Sequence, residues 1–162
     1  MKFELTQLHE NEKSVLFNLM QFYTYELSFY EDETTHFNME NTGLFVLSKY
    51  LELYEKEETR HAYLLRVDDK IAGFVLERYN EEGKYEIAEF FVLPKFRKKG
   101  AGTYMANKMF EIYHGKWEIK TLLKNKKAQD FWRNVVSKVS NKRFKEGFTC
   151  DGTRYAFYFV NE

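Results

Sequence analysis

The chain has 162 residues, its 25 basic residues balance 25 acidic ones, and it contains a single cysteine. This length suits one domain, and the balanced charge gives no overall attraction to nucleic acid or to an anionic membrane. One cysteine excludes an intrachain disulfide and a thiolate metal cluster, and no apolar run reaches the roughly 18 residues of a membrane span. We therefore expect one soluble, cytoplasmic domain over residues 1–162, monomeric or homodimeric, with no metal, nucleic acid or membrane as a partner.

The first predicted elements are a strand and a helix. Apolar and polar side chains alternate over residues 2–8, as they do in a half-buried strand. Over residues 11–27 the apolar residues recur at three- and four-residue spacing, which predicts an amphipathic helix. An acidic, irregular segment at 29–42 and a second, shorter helix at 44–54 follow.

Three strands are predicted next in succession. They occupy residues 60–67, 71–79 and 84–93. Short polar turns at residues 68–70 and 81–83 separate them. Because such short turns join neighbouring antiparallel strands, the three form a predicted meander.

The last part of the chain alternates again. A helix is predicted at residues 103–114, a strand at 117–123 and a helix at 126–139. Two final strands, 141–149 and 153–160, flank an Asp-Gly pair, which is the strongest hairpin signal in the chain. The predicted order is β-α-α-β-β-β-α-β-α-β-β, and no repeat or linker divides it.

A basic glycine loop joins the fourth predicted strand to the next helix, within the stretch VLPKFRKKGAGTYM at residues 92–105. The first turn of a helix has unpaired N–H groups and the positive end of the helix dipole, and glycine lets the backbone approach an anion closely. Arg97, Lys98 and Lys99 add positive charge where phosphates would lie. The loop therefore predicts a phosphate site, unless its glycines only shape the turn and its lysines form a solvated face.

The loop spells Arg-x-x-Gly-x-Gly after Val-x-Pro, and it resembles the acetyl-CoA loop of the GCN5-related N-acetyltransferase (GNAT) superfamily. A second stretch is similar to that superfamily's Asn-x-x-Ala-x-x-aromatic-aromatic pattern and comprises Asn125, Ala128, Phe131 and Trp132. The order of elements matches as well. The resemblance implies an α/β (α+β) single-domain fold, with a mixed, mostly antiparallel sheet of about seven strands and helices on both faces.

The resemblance also implies acetyl-CoA as the co-substrate. The pantetheine arm would lie in a gap beside the fourth strand, against Phe90, Phe91 and Val92, and the N–H near Phe90 would stabilise the oxyanion. Asn125 would bind the pantetheine or cap the helix that follows it, and both are compatible. The diphosphate would bind the loop formed by Arg97, Lys98, Lys99, Gly100, Ala101, Gly102 and Thr103.

Relatives use a carboxylate on the fourth strand as general base, and the candidates here are Glu86 and Glu89. Side chains alternate along a strand, so Glu86 shares a face with Phe90 and Val92, and Glu89 points to the other face. The resemblance places the base on the face of Phe90 and Val92. We therefore expect Glu86 to be the base unless a bulge reverses the alternation; the alternative for either residue is an exposed strand carboxylate without a catalytic role.

Trp132 departs from the family pattern, since many relatives have a tyrosine there that protonates the departing thiolate. An indole N–H donates hydrogen bonds but is too weak an acid to deliver a proton. Water or another tyrosine would then supply the proton, or no acid is needed. Trp132 would line the acetyl pocket or pack in the core.

The acceptor is predicted from the segment after the first helix, which in this fold usually lines the acceptor cleft. Its carboxylates among aromatic residues suit a cationic amine, although they also fit a solvated acidic loop. We predict an N-acetyltransferase that acts on a small-molecule or peptide amine by direct attack in a ternary complex. The alternatives are a non-catalytic acyl-CoA-binding or sensing module and an interaction protein with a merely basic turn. The carboxylates of this segment are Glu31, Asp32, Glu33 and Glu40.

Overall fold

A computed structural model describes residues 1–162, which form seven strands and three α-helices. Along the sheet the strand order is β1-β2-β3-β4-β5-β7-β6, and every neighbouring pair is antiparallel except β4 and β5. This confirms the predicted fold class. The elements are β1 (Phe3–Gln7), α1 (Lys13–Leu27), β2 (Arg60–Val67), β3 (Lys70–Tyr79), β4 (Tyr85–Val92), α2 (Ala101–Ile112), β5 (Gly115–Leu122), α3 (Lys126–Val139), β6 (Phe144–Phe148) and β7 (Arg154–Asn161).

Helices cover both faces of the sheet, and each face has its own hydrophobic core. On one face, Leu16 and Leu19 of α1 pack with Phe74 and Phe91 in what we call the α1 core. On the other face, α2 and α3 pack on the sheet around Trp117, in the α2–α3 core. No helix has the length and apolar composition needed to cross a bilayer.

The predicted second helix at residues 44–54 forms only as a short 3-10 helix, Lys49–Leu53. Ser48 begins it by accepting a hydrogen bond from the Tyr50 N–H at 3.2 Å. Leu51 and Tyr54 are the buried residues of this segment, and they lie three positions apart. One helical turn is therefore enough to bury its apolar side, and the prediction of a longer helix is wrong.

A bulge interrupts β4 at Ala88. Leu76 of β3 lies opposite Glu89, but the next residue, Glu77, lies opposite Ile87, so Ala88 has no partner. The extra residue reverses the alternation of side chains between the two halves of the strand. Ile87 and Val92 consequently both belong to the α2–α3 core although five positions separate them.

The parallel strands β4 and β5 pair at only two positions, at the start of β4 and two residues into β5. The pairs are Tyr85 with Trp117 and Glu86 with Glu118, and the strands diverge beyond them. The C-terminal half of β4 therefore has β3 on one side and an open gap on the other. The glycine loop, which follows β4, lies at the end of this gap.

Candidate functional site

One cavity of about 1000 Å³ extends from the gap to the sheet face under α1. It contains residues from the glycine loop, from the second motif and from β4, so the structure brings the three predicted parts together. Lys99 and Ala101 do not line it, and Ala101 is buried in the α2–α3 core. The predicted residues that line it are Glu86, Glu89, Phe90, Phe91, Val92, Arg97, Lys98, Gly100, Gly102, Thr103, Asn125, Ala128, Phe131 and Trp132.

The loop presents a continuous series of free backbone donors. No protein acceptor bonds the backbone N–H groups from Lys98 through Thr103; the first loop donor that is bonded is Tyr104, to the Gly100 carbonyl at 2.9 Å. Lys98 and Gly100 adopt left-handed conformations, with φ of 58° and 89°. Left-handed residues turn successive N–H groups toward one side, which creates an anion-binding concavity at the start of α2.

The two glycines of the loop have different roles. A Cβ atom at Gly100 would meet nothing closer than 3.8 Å, so the positive φ is what requires glycine there. A Cβ atom at Gly102 would lie 3.3 Å from the ring of Phe131 and 3.8 Å from that of Phe90. Gly102 therefore allows α2 to pack closely on α3, a role that the sequence did not reveal.

Arg97 does not provide a free guanidinium to the loop. Its Nη1 and Nη2 donate to the two carboxylate oxygens of Glu26 in α1, at 2.6 and 2.8 Å. Its Nε donates to the Val92 carbonyl at 2.6 Å, and its backbone N–H donates to the Pro94 carbonyl at 3.2 Å. The expectation that the Arg97 side chain supplies charge to a phosphate is therefore corrected: it ties the loop to α1.

The β4 backbone directs alternate N–H groups into the gap. The Leu93 N–H bonds the Ala72 carbonyl of β3 at 2.7 Å, so by alternation Phe91 also faces β3, whereas Phe90 and Val92 face the gap. Phe91 instead packs its ring in the α1 core.

The second motif begins α3 and forms the aromatic wall of the gap. The Asn125 side chain accepts a hydrogen bond from the Ala128 N–H at 3.1 Å, which confirms the predicted helix cap and leaves its amide donors free. The rings of Phe131 and Trp132 lie 5.5 and 4.8 Å from that of Phe90. Trp132 is both a buried core residue and part of the cavity wall.

The bulge corrects the predicted faces of the two glutamates. Phe90 and Val92 pack on the α2–α3 side, whereas Glu89 lies beside Tyr23 of α1. Glu86 pairs with Arg78, whose charge also acts on Tyr54 in the α1 core. Glu86 and Glu89 therefore share the α1 face, and the alternation that favoured Glu86 does not hold.

Glu86 is held as an ionised structural residue. It is 4% exposed, and its carboxylate accepts hydrogen bonds from Arg78 and, at 3.0 Å, from Asn80. The Lys120 ammonium lies 3.3 Å away. Burial opposes ionisation, but these hydrogen bonds and charges together lower the pKa of Glu86 below its ordinary value. Such a carboxylate is a poor proton acceptor near neutral pH.

Glu89 has the opposite electrostatic character. Burial raises the pKa of Glu89 to about 7, while the Tyr23 hydroxyl and the charge of Arg154 oppose a further rise. The same burial, together with the charge of Glu89, raises the pKa of Tyr23, which keeps this phenol neutral. Glu89 is therefore the residue of the pair that is suited to exchange protons near neutral pH.

The acidic segment after α1 does not bring its carboxylates into the cavity. Glu31 and Asp32 instead bond backbone N–H groups of their own loop, those of Phe37 at 2.6 Å and Thr34 at 2.7 Å. Glu33 is exposed, and Glu40 accepts from a neighbouring threonine. The expectation of an acidic acceptor surface is wrong. The segment contributes Tyr30, Thr35 and Phe37 to the lining.

Several charged residues of the cavity, and some of its tyrosines, were not predicted as site residues from the sequence. Period-two alternation does put Lys120 and Glu118 opposite the apolar Trp117 and Ile119, but it does not tell which face carries a site. The lining residues that were missed in this way are Tyr54, Arg60, Arg78, Lys120 and Arg154.

Comparisons with known proteins agree with this geometry. A family model described as the acetyltransferase (GNAT) family matches residues 19–135. No sequence of a curated protein matches. Among solved structures, a candidate streptothricin acetyltransferase from Bacillus anthracis, in complex with acetyl coenzyme A, is 15% identical with a TM-score of 0.63, and the alignment covers 100% of this chain and 99% of that one.

Two further structures are similar in fold. The ribosomal-protein-S18-alanine N-acetyltransferase from Escherichia coli is 11% identical with a TM-score of 0.66, over 99% of this chain and 95% of that one. The spermidine N-acetyltransferase from Vibrio cholerae, in complex with CoA and spermine, is 16% identical with a TM-score of 0.64, over 98% and 95%. At these identities the structures support the fold alone. The family model, which matches most of the sequence, establishes more: this chain belongs to the GNAT family of acetyltransferases.

Proposed function

We propose that this acetyltransferase transfers the acetyl group of acetyl-CoA to a primary amine, by direct attack in a ternary complex, with Glu89 as the general base. The observation that carries the proposal is the meeting of two features in one cavity. A series of free N–H groups at the start of α2 lies at one end, and Glu89, a half-buried carboxylate with a pKa of about 7, lies under α1. The first feature suits a diphosphate, and the second suits an ammonium that must lose a proton.

The site residues fit acetyl-CoA. The donors from Lys98 through Thr103 suit the diphosphate, and the gap beside β4 leaves the Phe90 and Val92 N–H groups without a strand partner, so they suit the amides of the pantetheine arm. Asn125 has free amide donors at the same gap. The Bacillus anthracis and Vibrio cholerae proteins, solved with acetyl coenzyme A and with CoA, support the same co-substrate here.

Acetyl-CoA supplies an acetyl group already activated as a thioester, so the protein must orient the amine, accept its proton and stabilise negative charge. Glu89 accepts the proton, because its raised pKa lies between those of an ordinary carboxylate and an alkyl ammonium. By the alternation along β4 the Phe90 N–H points into the gap, where it can donate to an oxygen on which negative charge develops. The Tyr23 hydroxyl lies near Glu89 and limits the rise of its pKa.

Trp132 does not take part in proton transfer. Its indole N–H is too weak an acid, and its ring packs against Phe90 at 4.8 Å. A thiolate is a fair leaving group, so it can depart without an acid at position 132 and take up a proton from water. Trp132 therefore shapes the wall of the gap, and this accounts for the departure from the family pattern.

Two measurements on the same protein test the proposal. Isothermal titration calorimetry measures acetyl-CoA binding, and a thiol assay follows CoA release with a panel of amines. We expect saturable binding and amine-dependent CoA release, with the acetylated amine identified by mass spectrometry. Tight binding without release for any amine would contradict catalysis and favour the acyl-CoA-sensing alternative, and the absence of binding would contradict both.

A further inference from the structure

The part of the cavity under α1 carries more positive than negative side chains. Arg78 and Lys120 both pair with Glu86, and Lys120 also lies 3.7 Å from a carboxylate oxygen of Glu118. Another cation is paired outside the cavity, since Arg60 bonds Glu57 at 2.9 Å. The charged residues of this part are Arg60, Arg78, Lys120 and Arg154 against Glu86 and Glu89.

Arg154 has no carboxylate partner in the protein. Its Nη1 donates to the Thr35 hydroxyl at 2.8 Å and to the Thr153 carbonyl at 2.7 Å. These two bonds fix the plane of the guanidinium. Its Nε and Nη2, which form the opposite edge, have no acceptor in the protein. Two parallel donors on one edge match the two oxygens of a carboxylate.

Arg154 faces the same space as the proposed base. Along β7, Phe157 and Phe159 belong to the α2–α3 core, so Arg154 projects to the opposite face, under the segment that follows α1. Thr35 of that segment lies against it. Arg154 and Glu89 both line the cavity, and the charge of Arg154 opposes the rise in the pKa of Glu89.

We propose that the acceptor is an amino acid, and that the free edge of Arg154 binds its carboxylate while its amine lies at Glu89. This inference rests on the proposed function. A zwitterion meets the cavity with one anionic and one cationic group, which match Arg154 and Glu89. A polyamine would bring only positive charges, with no anion for Arg154, the one cation here without a carboxylate partner, which is unfavourable.

The uncharged lining indicates the side chain of the amino acid. Five aromatic residues line this part of the cavity, and such rings suit an apolar or aromatic side chain. The acceptor we expect is therefore an aromatic or large apolar amino acid. The five residues are Tyr23, Tyr30, Phe37, Tyr50 and Tyr54.

The first test compares three amines that differ only at the carboxylate. The probes are L-phenylalanine, L-phenylalaninamide and phenethylamine, with the same set for tyrosine and tryptophan, and rates are expressed per unprotonated amine. We expect kcat/KM to be roughly 10- to 100-fold higher for the free amino acids, as hydrogen bonds to a charged group of about 1.5–3 kcal/mol imply. Equal or higher values for the amides would overturn the inference and indicate a peptide N-terminus. A preference for O-phosphoethanolamine over all of these would overturn the carboxylate assignment.

The second test uses Arg154→Met and Arg154→Lys in the full chain. We expect Arg154→Met to raise KM for the free amino acids much more than KM for phenethylamine, and so to remove the preference, while acetyl-CoA affinity stays near that of the wild type. Arg154→Lys retains the charge without the paired donors, so it should keep part of the preference. An equal loss for all three amines, or a weaker acetyl-CoA affinity, would assign Arg154 to another role.

The proposed acetyltransferase function and the proposed amino-acid acceptor can be contradicted separately. Turnover of phenethylamine without a preference for phenylalanine contradicts the amino-acid acceptor and leaves the acetyltransferase proposal standing. No turnover of any amine, with acetyl-CoA bound, contradicts the proposed function and the inference with it. Circular dichroism of both variants shows whether they fold, and the lysine variant remains informative if the methionine variant does not.

Discussion

Glu86 and Glu89 lie three residues apart on one strand, yet their surroundings give them opposite properties. Glu86 has two cations and an amide as partners, so its carboxylate is ionised and fixed. Glu89 has a phenol and a more distant charge, so burial dominates and raises its pKa. At the scale of single residues, the environment therefore separates the structural carboxylate from the proposed catalytic one.

Glu86→Gln should lower stability and retain activity. The pKa of Glu86 is lowered in the folded protein, so its stabilising contribution is present above the ordinary value of 4.5 and is lost as pH falls through the folded pKa. We expect the free energy of unfolding in urea to fall by about 1–3 kcal/mol at pH 7. The difference from the wild type should shrink toward pH 3. A loss that stays the same at both pH values would contradict the ion-pair explanation.

Trp132→Phe should retain more than about a tenth of the wild-type kcat, because the indole is not a proton donor. Its loss acts through packing against Phe90 and the other aromatic residues of the gap. We expect a lower melting temperature and an unchanged pH dependence. A kcat reduced by 10²-fold or more with a normal melting temperature would instead give the indole a direct part in catalysis.

At the scale of elements, the β4–loop–α2 unit forms the proposed co-substrate end of the cavity. Its geometry depends on Gly100, whose φ of 89° is costly for any other residue. Gly43 offers a matched control, since it has a φ of 84° and no atom near its absent Cβ, but lies in a turn that does not line the cavity.

Gly100→Ala and Gly43→Ala should therefore cost similar stability, about 1–2 kcal/mol. Only Gly100→Ala should weaken acetyl-CoA binding, because relief of its strain rotates the N–H groups of the loop. Calorimetric titration of both variants measures this directly. Equal acetyl-CoA affinities in the two variants would show that the loop is not the binding element.

Local patterns in the sequence predicted the two motifs and the helices and strands other than the helix at residues 44–54, because these depend on neighbouring residues. The bulge at Ala88 was not predicted, because it arises from the pairing of β4 with β3 and cannot be recognised from the sequence of β4 alone. The partner of Arg97 is Glu26, 71 positions away, and that of Arg154 is Thr35, 119 positions away. Contacts of this range decide which charges are free, and no local pattern contains them.

At the scale of the whole molecule, the sheet carries a second buried carboxylate away from the cavity. Glu77 is fully buried, one of its carboxylate oxygens has no partner, and His61 Nδ1 lies 2.8 Å from the other. Burial raises the pKa of Glu77 to about 7, against the partial compensation of His61. A folded pKa above the ordinary value of 4.5 means that the folded protein binds the extra proton between pH 4.5 and 7.

The stability that Glu77 contributes is therefore present below pH 4.5 and is lost as pH rises to about 7. Glu77→Gln should make the protein more stable than the wild type at pH 8, by up to about 3 kcal/mol, and change it little at pH 5. Glu89→Gln should act in the same direction, since the pKa of Glu89 is also raised. Thermal unfolding at the two pH values checks this, and a destabilisation of equal size at both would refute it.

The central claim, that Glu89 is the base of an amine acetyltransferase, is tested most directly by the pH dependence of kcat/KM for the wild type, Glu89→Gln and Glu86→Gln with the best amine. We expect kcat/KM of the wild type to rise with pH through a pKa of about 7. In Glu89→Gln this rise with pH should disappear and kcat/KM should fall by about 10²- to 10⁴-fold, whereas Glu86→Gln should keep the rise. The assignment of Glu89 would be contradicted if Glu89→Gln kept the rise in kcat/KM with pH and a near-normal rate, and Glu86→Gln lost both the rise and the rate.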